Sequence, residues 1–319
     1  MRRLDMSKLW LTGANGILGS HIVEYWQALA TEDSAKNFDR LMTITRGKSL
    51  EDYPKQVNLT YEEFYSLEVD EEAKTQNQTD VMLHLAFARS TDNKDIMESI
   101  RLLENVTEQC KQLNIGTIIN ISSQSVYDSF RDAAAEEDDL PKPGGIYGLA
   151  KYYTEKYLED YAERHGIRVI NIRLGALIGP GLDKRISTRM MKSALEEQDI
   201  SITSRAEQFS FLYVGEAARM LMEIAMNIDK AESKTYNVGT DEALSLKEMA
   251  EIISLVLQEV KLPEPKIDVG ESSGKQYNNT VNNDRLKKDF GLEANVSFYQ
   301  AMHWEYDDMT KEKDAQNEK

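Results

Sequence analysis

The stretch GGIYGLAKYYTEKYLEDY, from Gly144 to Tyr161, holds tyrosine and lysine four residues apart twice: Tyr147 with Lys151, and Tyr152 with Lys156. In a helix, residues at that spacing share a face. A free phenol, with a pKa of about 10, is a poor base at neutral pH. A cation nearby stabilises the phenolate and lowers that value, so either pair is a candidate for moving protons. The two pairs point in different directions. Tyr147, Ala150, Lys151, Thr154, Leu158 and Tyr161 make a stripe that reads inward, whereas Tyr152, Lys156, Glu159 and Glu163 make a charged stripe that reads as solvated surface. Tyr147 also follows the loop LPKPGG, where the helix begins. Upstream, INISSQSVY ends an apolar strand with Ser122, Ser123 and Ser125. A hydroxyl at the carboxyl edge of a parallel sheet lies where such sheets bind ligands, and it can polarise a carbonyl or a hydroxyl.

A second group lies near the N-terminus. TGANGILG places Gly13, Gly16 and Gly19 between a short apolar strand, Leu9 to Leu11, and a helical apolar period that starts at Ile17. Small residues let the backbone approach a pyrophosphate, and the helix end offers unpaired N–H groups and a positive dipole. The next strand, LMTIT, ends at Thr45 and is followed by Arg46 and Lys48, with no acid; Asp39 precedes it, at the wrong end. An acid at the end of this strand suits the ribose of NAD and a base suits the 2′-phosphate of NADP. Arg46 is therefore the candidate for that phosphate, and NADP is preferred over NAD.

The elements that must position these groups alternate. Strands are expected at LMTIT, DVMLHLAFA, IGTIINISS and IRVINIRLG, with a doubtful one near VNLTYEEFY; helices lie between them, one with Gly166 as its C-cap. Near-continuous apolar strands alternating with helices predict a parallel α/β sheet. After GALIGPG the pattern changes to helices near 184–198 and 214–227 and short strand-like pieces, and SLKEMAEIISLVLQEV opens with Ser245 and Glu248 at capping-box spacing. The expected architecture is a Rossmann-type doubly wound domain over 1–175, with 214–243 returning to it, and a smaller mixed substrate lobe from 176–213 and 244–310. A charged tail, 311–319, reads as disordered.

Composition narrows the classes. The 319 residues carry a net charge of -17, which disfavours a nucleic-acid partner. One cysteine, Cys110, excludes an internal disulfide, and four histidines without ligand spacing leave no metal site expected. No stretch has membrane-span length, and a soluble cytoplasmic protein with a small-molecule substrate is expected.

Together these motifs resemble the extended short-chain dehydrogenase/reductases, the NAD-dependent epimerase/dehydratase family. TGANGILG looks like TGxxGxxG, VMLHLAFA like the fourth-strand HLAA, NISSQSVY like the serine motif and IYGLAK like YxxxK; RLGALIGPG, FLYVGEAARML and YNVGTDEALSLKEMA follow in order. The resemblance implies Ser123, Tyr147 and Lys151 as catalytic residues. It implies cofactor contacts from Gly13, Asn15, Gly16, Ile17, Arg46, Leu85 and Ala86, besides Tyr147 and Lys151, and a homodimer through a helix pair. Members acting on nucleotide sugars often carry Asn where Ala176 stands, Arg where Phe209 stands and Asp where Glu216 stands; an adenine-contacting Asp after the third strand is also missing, with Ser66 nearest. The expected function is NAD(P)-dependent hydride transfer at a carbonyl or hydroxyl carbon with a Ser–Tyr–Lys proton relay. A nucleotide-sugar epimerase or dehydratase with retained NAD is the alternative, and a non-catalytic dinucleotide-binding regulator is a third reading. Among other candidates, His84 reads as a hydrogen-bonded core histidine, Arg173 as a structural partner and Cys110 as filler. Arg89, after the fourth strand, reads equally as solvated or functional.

Overall fold

The computed structural model describes residues 7–32, 37–47, 50–69, 71, 75, 78–202, 207–270 and 276–317. Strand β1 (Ser7–Thr12) leads through a glycine-rich turn into helix α1 (Ile17–Thr31). Then come β2 (Phe38–Thr45), β3 (Gln56–Thr60), the short α2 (Tyr61–Tyr65), β4 (Val81–His84), α3 (Asn93–Leu113), β5 (Thr117–Ser123), α4 (Ile146–His165) and β6 (Arg168–Leu174). The second half holds β7 (Ala176–Ile178), α5 (Ile186–Leu195), β8 (Ile200–Ile202), β9 (Phe211–Tyr213), α6 (Val214–Met226), β10 (Thr235–Val238), α7 (Leu246–Glu259), β11 (Ile267–Val269), α8 (Asp284–Phe290) and α9 (Phe298–Asn317).

Seven strands form one sheet in the order β10-β6-β5-β4-β1-β2-β3, with every adjacent pair parallel. Successive strand residues face opposite sides, and both sides are apolar. Leu9, Leu11, Leu83, Ile119 and Ile121 meet α1 and α6 on one face. Trp10, Met82 and Ile118 meet α3 and α4 on the other. This is the doubly wound Rossmann-type architecture. Fully burying a side chain such as Leu11 or Met82 is worth about 1.5–3 kcal/mol, which is why the central strands read as unbroken apolar runs. Chain order reverses between β1 and β4, whose last residues, Thr12 and His84, are Cα partners. The crevice outside those strand ends is where such a sheet takes a ligand.

The segment after β6 supplies a second core. Met191, Ile202, Met249, Ile253, Phe298 and Met302 pack together beneath α5, α7 and α9. Within this half, α6 packs into the first core and β10 adds to the edge of the large sheet beside β6. No described helix is long and apolar enough to cross a membrane.

Two details differ from the sequence reading. The third strand ends at Thr60, which caps α2 through a reciprocal bond with Glu63, so Tyr61 follows it directly; Ser66, the residue nearest to the expected adenine-contacting position, closes α2 a turn later. The strand is half-buried along its whole length, which is why its alternation is weak. The charged tail is helical as far as Asn317, where lysine, glutamate, alanine and glutamine are all good helix formers and α9 simply continues.

Candidate active site

The glycine-rich turn is tied to the end of β4. The Thr12 hydroxyl oxygen accepts from the backbone N–H of Leu85 at 3.2 Å and of Ala86 at 3.3 Å. It also lies 2.9 Å from Nδ1 of His84. Burial and the charge of Lys151 push His84 down to about 3, so the ring is neutral and structural at working pH. Gly13 has φ +75°, and a Cβ there would lie 3.1 Å from the Ala86 nitrogen, so a larger residue would force the turn off the strand. Gly16 donates to the Gly13 carbonyl at 2.9 Å and stands at the N-cap of α1 without any side-chain cap. No acidic residue occupies the first turn. Bare N–H groups at a positive helix end, with no carboxylate to compete, fit the pyrophosphate of a dinucleotide. Asn15 is exposed within this turn, and Ile17 reaches a cavity just beyond it.

That cavity, of about 250 Å³, brings together Ile17, Leu85, Ser123, Tyr147, Lys151 and Arg185, among others. Close approach at Gly148 makes this possible. A Cβ on Gly148 would lie 2.1 Å from the Ser125 carbonyl oxygen, so only glycine lets the first turn of α4 rest directly on the serine loop. The loop in turn is shaped by its own hydroxyl, since Ser123 Oγ accepts from the Ser125 N–H at 3.1 Å. Tyr147 packs edge-on to Phe87, with ring centroids 6.1 Å apart. One turn along, Lys151 Nζ donates to the Ile121 carbonyl at 2.6 Å and lies 3.9 Å from the centre of the Phe87 ring.

The electrostatics differ from the sequence reading in one respect. Burial pushes the Tyr147 phenol up, and the groups that act against it are the Arg89 guanidinium, the Ser123 hydroxyl and the Arg185 guanidinium. Lys151 is itself lowered to about 7 by burial, with Glu155 acting the other way. The two arginines, rather than the lysine, are the cations that favour the phenolate in the ligand-free protein.

Glu155 is a site residue that spacing did not reveal. It is fully buried, one turn beyond Lys151, and forms a forked pair with Arg173, the closest contact being 2.8 Å. It also accepts from the Ser122 hydroxyl. Arg173 continues to the Tyr127 hydroxyl and the Glu137 carbonyl, both at 3.0 Å. The network ties β5, β6 and α4 together and holds the Ser122 hydroxyl on Glu155, while Ser122 and Ser123 both line the cavity. In the sequence Glu155 lies within YTEKYLED, among many exposed charges, and nothing there marks it as buried.

The remaining candidates separate. Arg46 is exposed at the end of β2, beside Tyr61, with no acid between Thr45 and Gly47; Lys48 lies outside the described residues. Ala86 backs the glycine turn. Ala176, in β7, lines the cavity, whereas Phe209 stacks on Phe211 and Tyr277. Glu216 pairs with Arg219 at 2.9 Å and accepts from the Asn295 N–H. Cys110 is fully buried in the core under α3, and burial pushes its thiol up, so it is inert filler. Arg185 is the other residue the sequence hid, inside the polar run LDKR.

A doubly wound sheet with an uncapped glycine-rich helix start defines a dinucleotide-binding Rossmann protein. Residues 9–239 match the NAD dependent epimerase/dehydratase family, and the chain belongs to that family and is an enzyme. It is 24% identical over 262 residues to the uncharacterized UDP-glucose epimerase YtcB of Bacillus subtilis, covering 77% of this chain and 81% of that protein. It is also 24% identical to GDP-mannose 3,5-epimerase 1 of Oryza sativa subsp. indica, covering 88% and 76%. Among solved structures, a dTDP-glucose 4,6-dehydratase from Streptomyces venezuelae with NAD bound superimposes with a TM-score of 0.74 at 14% identity, covering 97% of this chain and 98% of that one. That likeness shows the fold.

Proposed function

We propose that this enzyme transfers hydride at an oxygen-bearing carbon of a nucleotide sugar, with Ser123, Tyr147 and Lys151 handling the proton. The observation that carries this is the shared cavity: Ser123, Tyr147 and Lys151 face the same space as Ile17 and Leu85, which sit at the end of the pyrophosphate cradle. The dinucleotide, when bound, supplies a hydride acceptor and donor at C4 of its nicotinamide. Ser123 orients the substrate oxygen. Tyr147 takes the hydroxyl proton as the carbonyl forms and returns it in the reverse step. Lys151 would hold the nicotinamide ribose, while Arg89 and Arg185 supply the positive charge that favours the phenolate. Gly13, Asn15, Gly16, Ile17, Leu85 and Ala86 hold the cofactor backbone. That the relatives named above act on UDP-glucose and GDP-mannose, by their names, supports a nucleotide sugar as substrate.

Arg46 favours a second reading, a net reductase using NADPH, because it stands at the end of β2 where a 2′-phosphate is read and no acid competes. Two measurements separate these. Proton NMR of UDP-glucose and GDP-mannose incubated with enzyme and NAD should show new sugar configurations or a dehydrated product; unchanged substrates argue against the first reading. Calorimetric titration with NADPH and NADH, repeated on Arg46→Ala, should show an NADPH preference that the substitution removes; equal binding by the parent protein removes the case for a reductase.

A further inference from the structure

The surface is strongly acidic, with a net charge of -17 over the chain, yet the cavity beside Tyr147 contains Lys151, Arg89 and Arg185 and no carboxylate. Lys151 is occupied by the Ile121 carbonyl and the Phe87 ring. The other two cations are not. Among the described residues, neither Arg89 nor Arg185 has an ion-pair or side-chain hydrogen-bond partner. Asp183, the nearest acid in sequence to Arg185, pairs instead with Lys192 at 3.7 Å. Arg185 is half-buried, and burial together with the like charge of Arg89 lowers it to about 10, which leaves it charged at neutral pH. Arg89 is exposed and Arg185 half-buried, and two guanidinium groups lining one cavity repel, a repulsion that an anion bound between them relieves. The same cavity shows a second unmet demand: the side-chain oxygen of Gln124, which lines it, is buried and has no donor. A ligand meeting both needs carries an oxyanion and a hydroxyl close together.

The dinucleotide pyrophosphate already has the bare end of α1. We propose that Arg89 and Arg185 clamp a carboxylate on the glycosyl group of the substrate, with Gln124 accepting from one of its hydroxyls, so that the enzyme selects acidic nucleotide sugars. Guanidinium forks match carboxylate geometry, which suits the pair to selecting such a group. The proposal rests on the nucleotide-sugar reading above and specifies it further.

The test is calorimetric titration of the NAD-loaded enzyme with two matched pairs, UDP-glucuronate with UDP-glucose and GDP-mannuronate with GDP-mannose. It is repeated on Arg185→Gln and Arg89→Gln. The acidic member of at least one pair should bind about tenfold or more tightly than its neutral partner. Each substitution should bring that preference close to unity while NAD affinity stays as in the parent, which also reports that the variant is folded. Equal binding of acidic and neutral members by the parent overturns the carboxylate clamp and leaves the nucleotide-sugar reading intact. Selective loss of NAD affinity in folded variants assigns the arginines to a cofactor phosphate and overturns it too. Binding of none of the four sugars by the parent overturns both readings at once.

Discussion

Helix α4 carries one spacing on two faces, and the two tyrosine–lysine pairs have opposite surroundings. Lys151 is buried against a backbone carbonyl and an aromatic ring, and burial lowers it to about 7. Lys156 is exposed, and its bond to Glu159 at 2.6 Å raises it. Tyr147 faces the cavity, whereas Tyr152 packs on the small cluster of Val126, Tyr127, Ala135 and Val281. The difference does not come from the spacing. It comes from what lies opposite each face: a glycine that admits the serine loop and a buried glutamate on one side, and on the other a small apolar cluster beneath Tyr152 with Lys156 in water.

Substitutions that treat the two faces alike should therefore give unlike results. The largest contrast is expected between the tyrosines. Tyr147→Phe should lower kcat by about 10²- to 10⁴-fold, the usual worth of a positioned proton donor, with cofactor binding kept; Tyr152→Phe should stay within about twofold of the parent. Similar losses in both would remove the distinction between the faces.

Next come the carboxylates. Glu155→Gln leaves the Arg173 guanidinium buried without its countercharge and should destabilise the fold by about 3–5 kcal/mol in urea unfolding. Because Glu155 acts to raise Lys151, the same change should move that lysine further below its present position near 7, read by NMR of the lysine side chain. Lys156→Gln breaks only an exposed pair and should cost about 0.5 kcal/mol or less.

A smaller effect tests the approach of the helix to the serine loop. Gly148→Ala should cost about 1–3 kcal/mol and lower activity, because the added methyl meets the Ser125 carbonyl. Its exposed neighbour Leu149 should tolerate alanine within about 0.5 kcal/mol. Equal costs at the two positions would mean that the helix does not rest on the loop.

Much of this was legible before any coordinates. Strands β4 and β5 announce themselves because burial on both faces demands apolar runs, and the turn from Gly13 to Gly19 because backbone approach demands glycine. Gly166 and the Ser245–Glu248 box mark helix ends through local chemistry alone, and each is found in place. What was not legible depends on distant partners. Glu155 looks like any surface acid until Arg173, 18 residues on, is folded against it. Arg185 looks like a loop cation until Arg89 and Tyr147 share its cavity. Strand β3 lies at the sheet edge with every residue half-exposed, so its pattern is faint and its end is weakly marked. Helix α9 was not anticipated because its inner positions, Phe298, Ala301 and Met302, are interspersed with polar residues.

The central claim is that Tyr147 is a phenol held ready to ionise once the cofactor's charge arrives. Ultraviolet difference titration of the parent against Tyr147→Phe isolates this one phenol among the 15 tyrosines. Without cofactor, Tyr147 should titrate above its ordinary value of about 10, because burial outweighs the two arginines. With saturating oxidised dinucleotide it should move down toward neutrality. A Tyr147 that stays above 10 with the cofactor bound would contradict the account.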